Sequence, residues 1–113
     1  ILNMTNRADI LDTAKQYVTK DRASDHGDME DNFEMIADFW SVYLDIRIKP
    51  HEVGVMMTLL KVARIRSNPE HPDNWVDGAG YMACGGEIAS KDNERTKMPP
   101  LNENGKFIGH KND

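Results

Sequence analysis

Between Pro50 and Pro69 the chain carries its longest apolar run, Val53 to Ala63, interrupted by Gly54, Thr58 and Lys61. Proline at the head of such a run suits the first turn of a helix, because its missing N–H would have no intrahelical partner there and its φ is already helical. Ser67-Asn68-Pro69 closes the run, since proline disfavours a helical residue ahead of it. The segment is far shorter than the roughly twenty residues of a bilayer span, so it reads as a buried helix. Val53, Met56, Met57, Leu60 and Ala63 line one face, while Val55, Leu59 and Val62 line much of the rest. A helix apolar nearly all round is expected at the centre of a bundle.

The neighbouring segments supply the rest of that bundle. Asn6 is a good cap for a first helix whose apolar stripe is Ile10, Leu11, Ala14, Tyr17 and Val18. Residues 19–27 hold no apolar pattern, and Gly27 can take the positive φ of a sharp reversal. Asp28 then suits the cap of a second helix, with Met29, Phe33, Ile36, Trp40 and Tyr43 recurring at steps of three and four. Leu44 to Lys49 alternates briefly like a strand, but a lone short strand has no pairing partner, so an extended connector is expected.

Beyond Pro69-Glu70-His71-Pro72, Asp73 is the expected cap of a fourth helix carrying Trp75, Val76, Ala79, Met82, Ala83 and Ile88. Gly78, Gly80, Gly85 and Gly86 lie within that helix, and each interior glycine costs on the order of 1 kcal/mol relative to alanine. The close approach of another backbone would offset this.

These patterns define an all-α protein, a compact bundle of about four helices in residues 1–90. Residues 91–113 form a polar tail, either flexible or wrapped over a partner subunit. A core drawn from about ninety residues is thin, so a homo-oligomer is expected. The net charge of −5 and pI near 5.3 argue against a long nucleic acid as partner, which would require a clustered basic surface, but leave room for a small anionic ligand. Cys84 is alone and expected to be a buried thiol, which suits a reducing cytoplasm. No basic stretch leads into an apolar segment near the N-terminus, so neither a secretory signal nor a membrane partner is expected.

Three clusters carry the possible chemistry. Lys61 and Arg64, three residues apart, suit a phosphate grip, with Arg64 as a planar fork; equally, cations near a helix C-terminus are favoured by its dipole. His71, Asp73, Trp75, Asp77 and Tyr81 fall within eleven residues, with Asp73, Asp77 and Tyr81 spaced by four along one helical stripe. Two carboxylates one turn apart can share Mg2+; alternatively Asp73 caps its helix and Asp77 pairs with Lys61 or Arg64. The third cluster runs from Asp25 to Glu34: Glu30 and Glu34 share a face, and Asn32 offers both a donor and an acceptor to a base edge. Acidic residues there also fit a solvated helix start. No cysteine–histidine pattern suits zinc, and no glycine-rich phosphate loop precedes a helix.

The series HGDMEDNF…W, MMTLLKVAR and HPDNWVDGAGYMA resembles a family of small helical proteins encoded by bacteriophages and prophages, to which no function is assigned. The resemblance covers roughly Ile10 to Ile88; that family often has tyrosine where this chain has His26. More distantly, the chain resembles the MazG-like all-α nucleoside-triphosphate pyrophosphohydrolases and the phage helical domain associated with nucleotide modification. That resemblance implies Mg2+ held by Glu30, Glu34, Asp73 and Asp77, although Asn32 interrupts the acidic run and the aspartates are spaced by four rather than three. The expected function is a phage-type nucleotide-binding protein in the host bacterial cytoplasm, sequestering a nucleotide or cyclic-nucleotide messenger of host defence without catalysis. Its ligand contacts are expected at Arg22, His26, Asn32, Lys61, Arg64, His71, Trp75 and Tyr81. The alternatives are the pyrophosphohydrolase and a structural or host-protein-inhibiting phage factor.

Overall fold

A computed structural model of the protein describes residues 6–21, 29–91 and 103–106. The fold is all-α. Helix α1 spans Arg7–Gln16 and continues into a π-helical turn, Tyr17–Asp21; α2 spans Met29–Leu44, α3 Pro50–Ser67 and α4 Pro72–Lys91. No strand occurs among the described residues. The Gly27 reversal and the Asp28 cap lie outside them, as does the tail apart from 103–106. In that short piece Lys106 Nζ stands 3.7 Å from Asp45 Oδ2, an exposed pair of little energetic weight.

Local chemistry sets the helix ends. Asn6 Oδ1 accepts from the Asp9 N–H at 2.8 Å, as its cap role requires. Pro50 occupies the first turn of α3, and Glu52 Oε1 accepts from the Lys49 N–H at 2.9 Å, satisfying a donor that the helix start leaves open. At α4 the expected start is displaced by two residues: a cap at Asp73 would open the helix at Asn74, but Pro72 opens it, for the same reason that Pro50 opens α3. Asp73 sits inside the first turn, where the dipole favours its charge.

The extended connector between α2 and α3 is present, and one hydroxyl pins it. Asp45 adopts φ 57°, and the Ile46 N–H reaches back to the Ser41 carbonyl at 3.2 Å, closing α2 in the manner usually left to glycine. Fully buried Ser41 accepts from the Ile48 N–H at 2.7 Å and donates to the Ala37 carbonyl at 2.6 Å. Ile48 is thereby held in the core with Phe33, Ala37, Val53, Cys84 and Ile88. The inward row of α2 is therefore Phe33, Ala37 and Ser41, flanked by half-buried Ile36 and Trp40. Tyr43, expected on that stripe, is 86% exposed, because the row that meets the connector steps by four and leaves position 43 on the outer side.

Of the four glycines of α4, Gly85 is explained by close backbone contact with α3. A Cβ on Gly54 would stand 2.8 Å from the Tyr81 carbonyl oxygen and 3.1 Å from Gly85 Cα, and one on Gly85 would stand 3.2 Å from the His51 carbonyl oxygen. Gly80 receives Val18, whose Cγ1 lies 3.1 Å from where a Cβ would be. Along this seam Thr58 Oγ1 donates to the Gly54 carbonyl at 2.8 Å, and the Lys61 stem lies over Gly78. Helix α3 is not enclosed on all sides, however. Of its expected core line Val53 is buried and Met57 half-buried, while Met56, Leu60 and Ala63 are exposed with Val55, Leu59 and Val62. Four helices supply too few neighbours to surround it.

The Ser41→Ala substitution is expected to cost about 1–3 kcal/mol, since it leaves the buried Ile48 N–H without an acceptor. Gly54→Ala should destabilise by about 1–3 kcal/mol through backbone displacement. Gly86→Ala, where a Cβ meets nothing, should stabilise by about 0.5–1 kcal/mol. Urea denaturation of the three variants reads all of these signs.

Candidate ligand groove

Where α3 ends and α4 begins, the two helices part around a groove of about 510 Å³. Leu60, Lys61 and Arg64 form the α3 wall, and Asp73, Asn74 and Asp77 form the α4 wall, with His71 at the turn. The volume falls within the range of small-molecule sites, about 300–1,000 Å³.

Lys61 Nζ stands 3.0 Å from Asp77 Oδ2, with the two side chains only 11% and 16% exposed. Burial strengthens their attraction but removes hydration from both, so the pair is chiefly a constraint that makes either charge costly alone. Arg64 is exposed on the same wall, and no ion pair engages it among the described residues. Among the described residues the groove thus holds the Lys61–Asp77 pair and, in Arg64, a guanidinium that none of them pairs.

The most informative group is Asn74. It is 6% exposed, it lines the groove, and none of the described residues forms a hydrogen bond with its carboxamide. Among the described residues its hydrogen-bonding capacity is therefore not taken up by the protein, and it is available to a group in the groove. Its backbone N–H donates to the His71 carbonyl at 3.3 Å, which anchors the residue in the first turn of α4.

The other expected contacts are distributed differently. Lys61, Arg64 and His71 meet in the groove. Trp75 is on the far side of the turn, lining a second depression of about 290 Å³ with Arg7, Ile10 and Pro72, and its indole N–H donates to the Pro69 carbonyl at 2.8 Å. Tyr81 packs on Phe33, with ring centroids 6.3 Å apart, beside the core. Asn32 is half-buried on α2 and lines neither depression. Arg22 and His26 lie outside the described residues, as does the Glu30 side chain. Asp73 and Asp77 both line the groove, whereas Glu34 lies on α2. Among the described residues no three His, Cys, Asp or Glu side chains are grouped to hold a metal ion, so Glu34, Asp73 and Asp77 do not assemble a Mg2+ set.

Fold and groove together define a small all-α protein with a polar cleft between the two longest described helices. Residues 9–89 match the family described as a domain of unknown function, DUF6378, and the chain belongs to that family. It is 39% identical over 92 residues to the Gene 55 protein of Mycobacterium phage L5, covering 80% of this chain and 59% of that one. With the Gene 55 protein of Mycobacterium phage D29 it shares 35% identity over 75 residues, 66% of this chain and 50% of that one. The chain therefore spans between half and three-fifths of the length of these phage relatives. No solved structure matches it. No helix among the described residues is long and apolar enough to cross a membrane.

Asp77→Leu is expected to destabilise the fold by about 3 kcal/mol, because Lys61 is left charged in a mostly buried position. The double variant Lys61→Met/Asp77→Leu should recover most of that loss in the same denaturant titration, and a double variant no more stable than the single one would contradict the pairing.

Proposed function

We propose that the groove between α3 and α4 binds a nucleotide-class ligand, and that this phage-type protein acts by holding that ligand, as a sequestering protein does, rather than by cleaving it. The observation that carries the reading is the Asn74 carboxamide, which lines the groove and has no hydrogen-bond partner among the described residues. A carboxamide offers one acceptor and two donor hydrogens on a rigid plane, which matches the mixed edge of a nucleobase. Arg64, on the facing wall, offers a fork to phosphate oxygens. Lys61, neutralised by Asp77, supports the wall instead of gripping the anion.

A second reading, a phage factor that acts by binding a protein, draws on the apolar side chains left exposed on α2 and α3, among them Phe39, Val42 and Leu59. The groove needs no such surface, so the readings separate experimentally. Calorimetry with a panel of linear and cyclic nucleotides should find a ligand whose affinity falls about tenfold or more in Arg64→Ala, the loss of one charge-assisted hydrogen bond. Asn74→Leu should lose affinity while altering preference among bases. If no nucleotide binds or raises the melting temperature, the ligand reading is wrong and the protein-binding one gains.

A further inference from the structure

On the side of α3 turned away from α4, Glu52, Val55, Leu59, Val62 and Arg66 are all exposed and follow one another at steps of three, four, three and four. That is the spacing of a coiled-coil seam, and Leu59, 60% exposed, stands at its midpoint. The stripe is also balanced about Leu59: valines flank it at nearly equal distance on both sides, and the two ends carry opposite charges, Glu52 and Arg66, equally far from the centre. Arg66 makes no ion pair among the described residues, and Glu52 lends one oxygen to the helix start.

We propose that two copies of this chain pair through α3, antiparallel about a two-fold axis at Leu59. An isologous interface demands a surface complementary to itself, and this one meets the demand in both shape and charge. Leu59 packs on Leu59 of the partner subunit, Val55 on Val62 of the partner subunit, and Glu52 faces Arg66 of the partner subunit at each end. A foreign protein would require an apolar stripe but not opposite charges at mirrored positions. The second copy is therefore the occupant that accounts for the whole pattern. Pairing also covers the helix that the four-helix fold leaves half open, and it holds whether or not the groove binds a nucleotide.

Sedimentation equilibrium of the full chain tests the proposal. The wild-type protein should be a dimer at micromolar concentration. Leu59→Lys, at an exposed position that the monomer's packing does not use, should raise the dissociation constant about a hundredfold with an unchanged helical circular dichroism spectrum. Arg66→Glu should weaken the dimer by setting like charges opposite each other, and adding Glu52→Arg should restore it. A monomeric wild type, a dimer indifferent to Leu59→Lys, or a charge-swapped double variant weaker than Arg66→Glu alone would overturn the proposal.

Discussion

Helices α3 and α4 lie so close at Gly54 that a single methyl group there would stand 2.8 Å from the Tyr81 carbonyl oxygen. Such proximity requires the absence of a side chain on both surfaces, and Gly85 supplies it on the second. The rest of the seam follows from this anchor. Val53 enters the core beside it, Thr58 returns a hydrogen bond to the Gly54 carbonyl, and a Cβ on Gly78 would stand 3.8 Å, an ordinary contact, from Lys61 Cβ. Dispersion and exclusion of water along this tight strip offset the conformational entropy that glycines forfeit in a helix. Toward the α3–α4 turn, larger and more polar side chains replace the glycines, and the groove opens there.

That seam was legible in the sequence as an anomaly, since several glycines within one helix imply a backbone neighbour. So were the proline that opens α3, the Asn6 cap and the extended connector before Pro50, each tied to the geometry of one or two residues. Periodicity failed where polarity and position disagreed. Ser41 counts as polar and Tyr43 as apolar, yet the serine is buried because its hydroxyl serves a residue seven positions later, a relation that no helical period encodes. On α3 periodicity marked apolar faces correctly but could not say how many of them the monomer covers. The cap assigned to Asp73 failed because two neighbouring residues each had a reason to start the helix, and the restricted φ of Pro72 prevailed.

For the groove, the proximity of Lys61 to Asp77 was readable from charge and spacing, as was the gathering of Arg64 and His71. Asn74 was missed, although a signal exists: it lies in step with Gly78, Tyr81, Gly85 and Ile88, the row of α4 that faces inward. An amide in an apolar register is a question put to the fold, and none of the described residues answers it with a hydrogen bond. The aromatic residues misdirected attention because an exposed-looking cluster in sequence divides, once wound into a helix, between the core for Tyr81 and the outer turn for Trp75. Membership of DUF6378, a domain of unknown function, assigns no chemistry to these residues.

Cys84, the chain's only cysteine, is buried in the core immediately beside Gly85. Its thiol is therefore enclosed by the core that α2, the connector, α3 and α4 build together. A thiol reagent reaches it only when that core opens, so the rate of alkylation in native buffer reports how often the packed helices part. The chain thus carries its own single-site clock for the breathing of its core, with no label to introduce and no second thiol to confuse the reading.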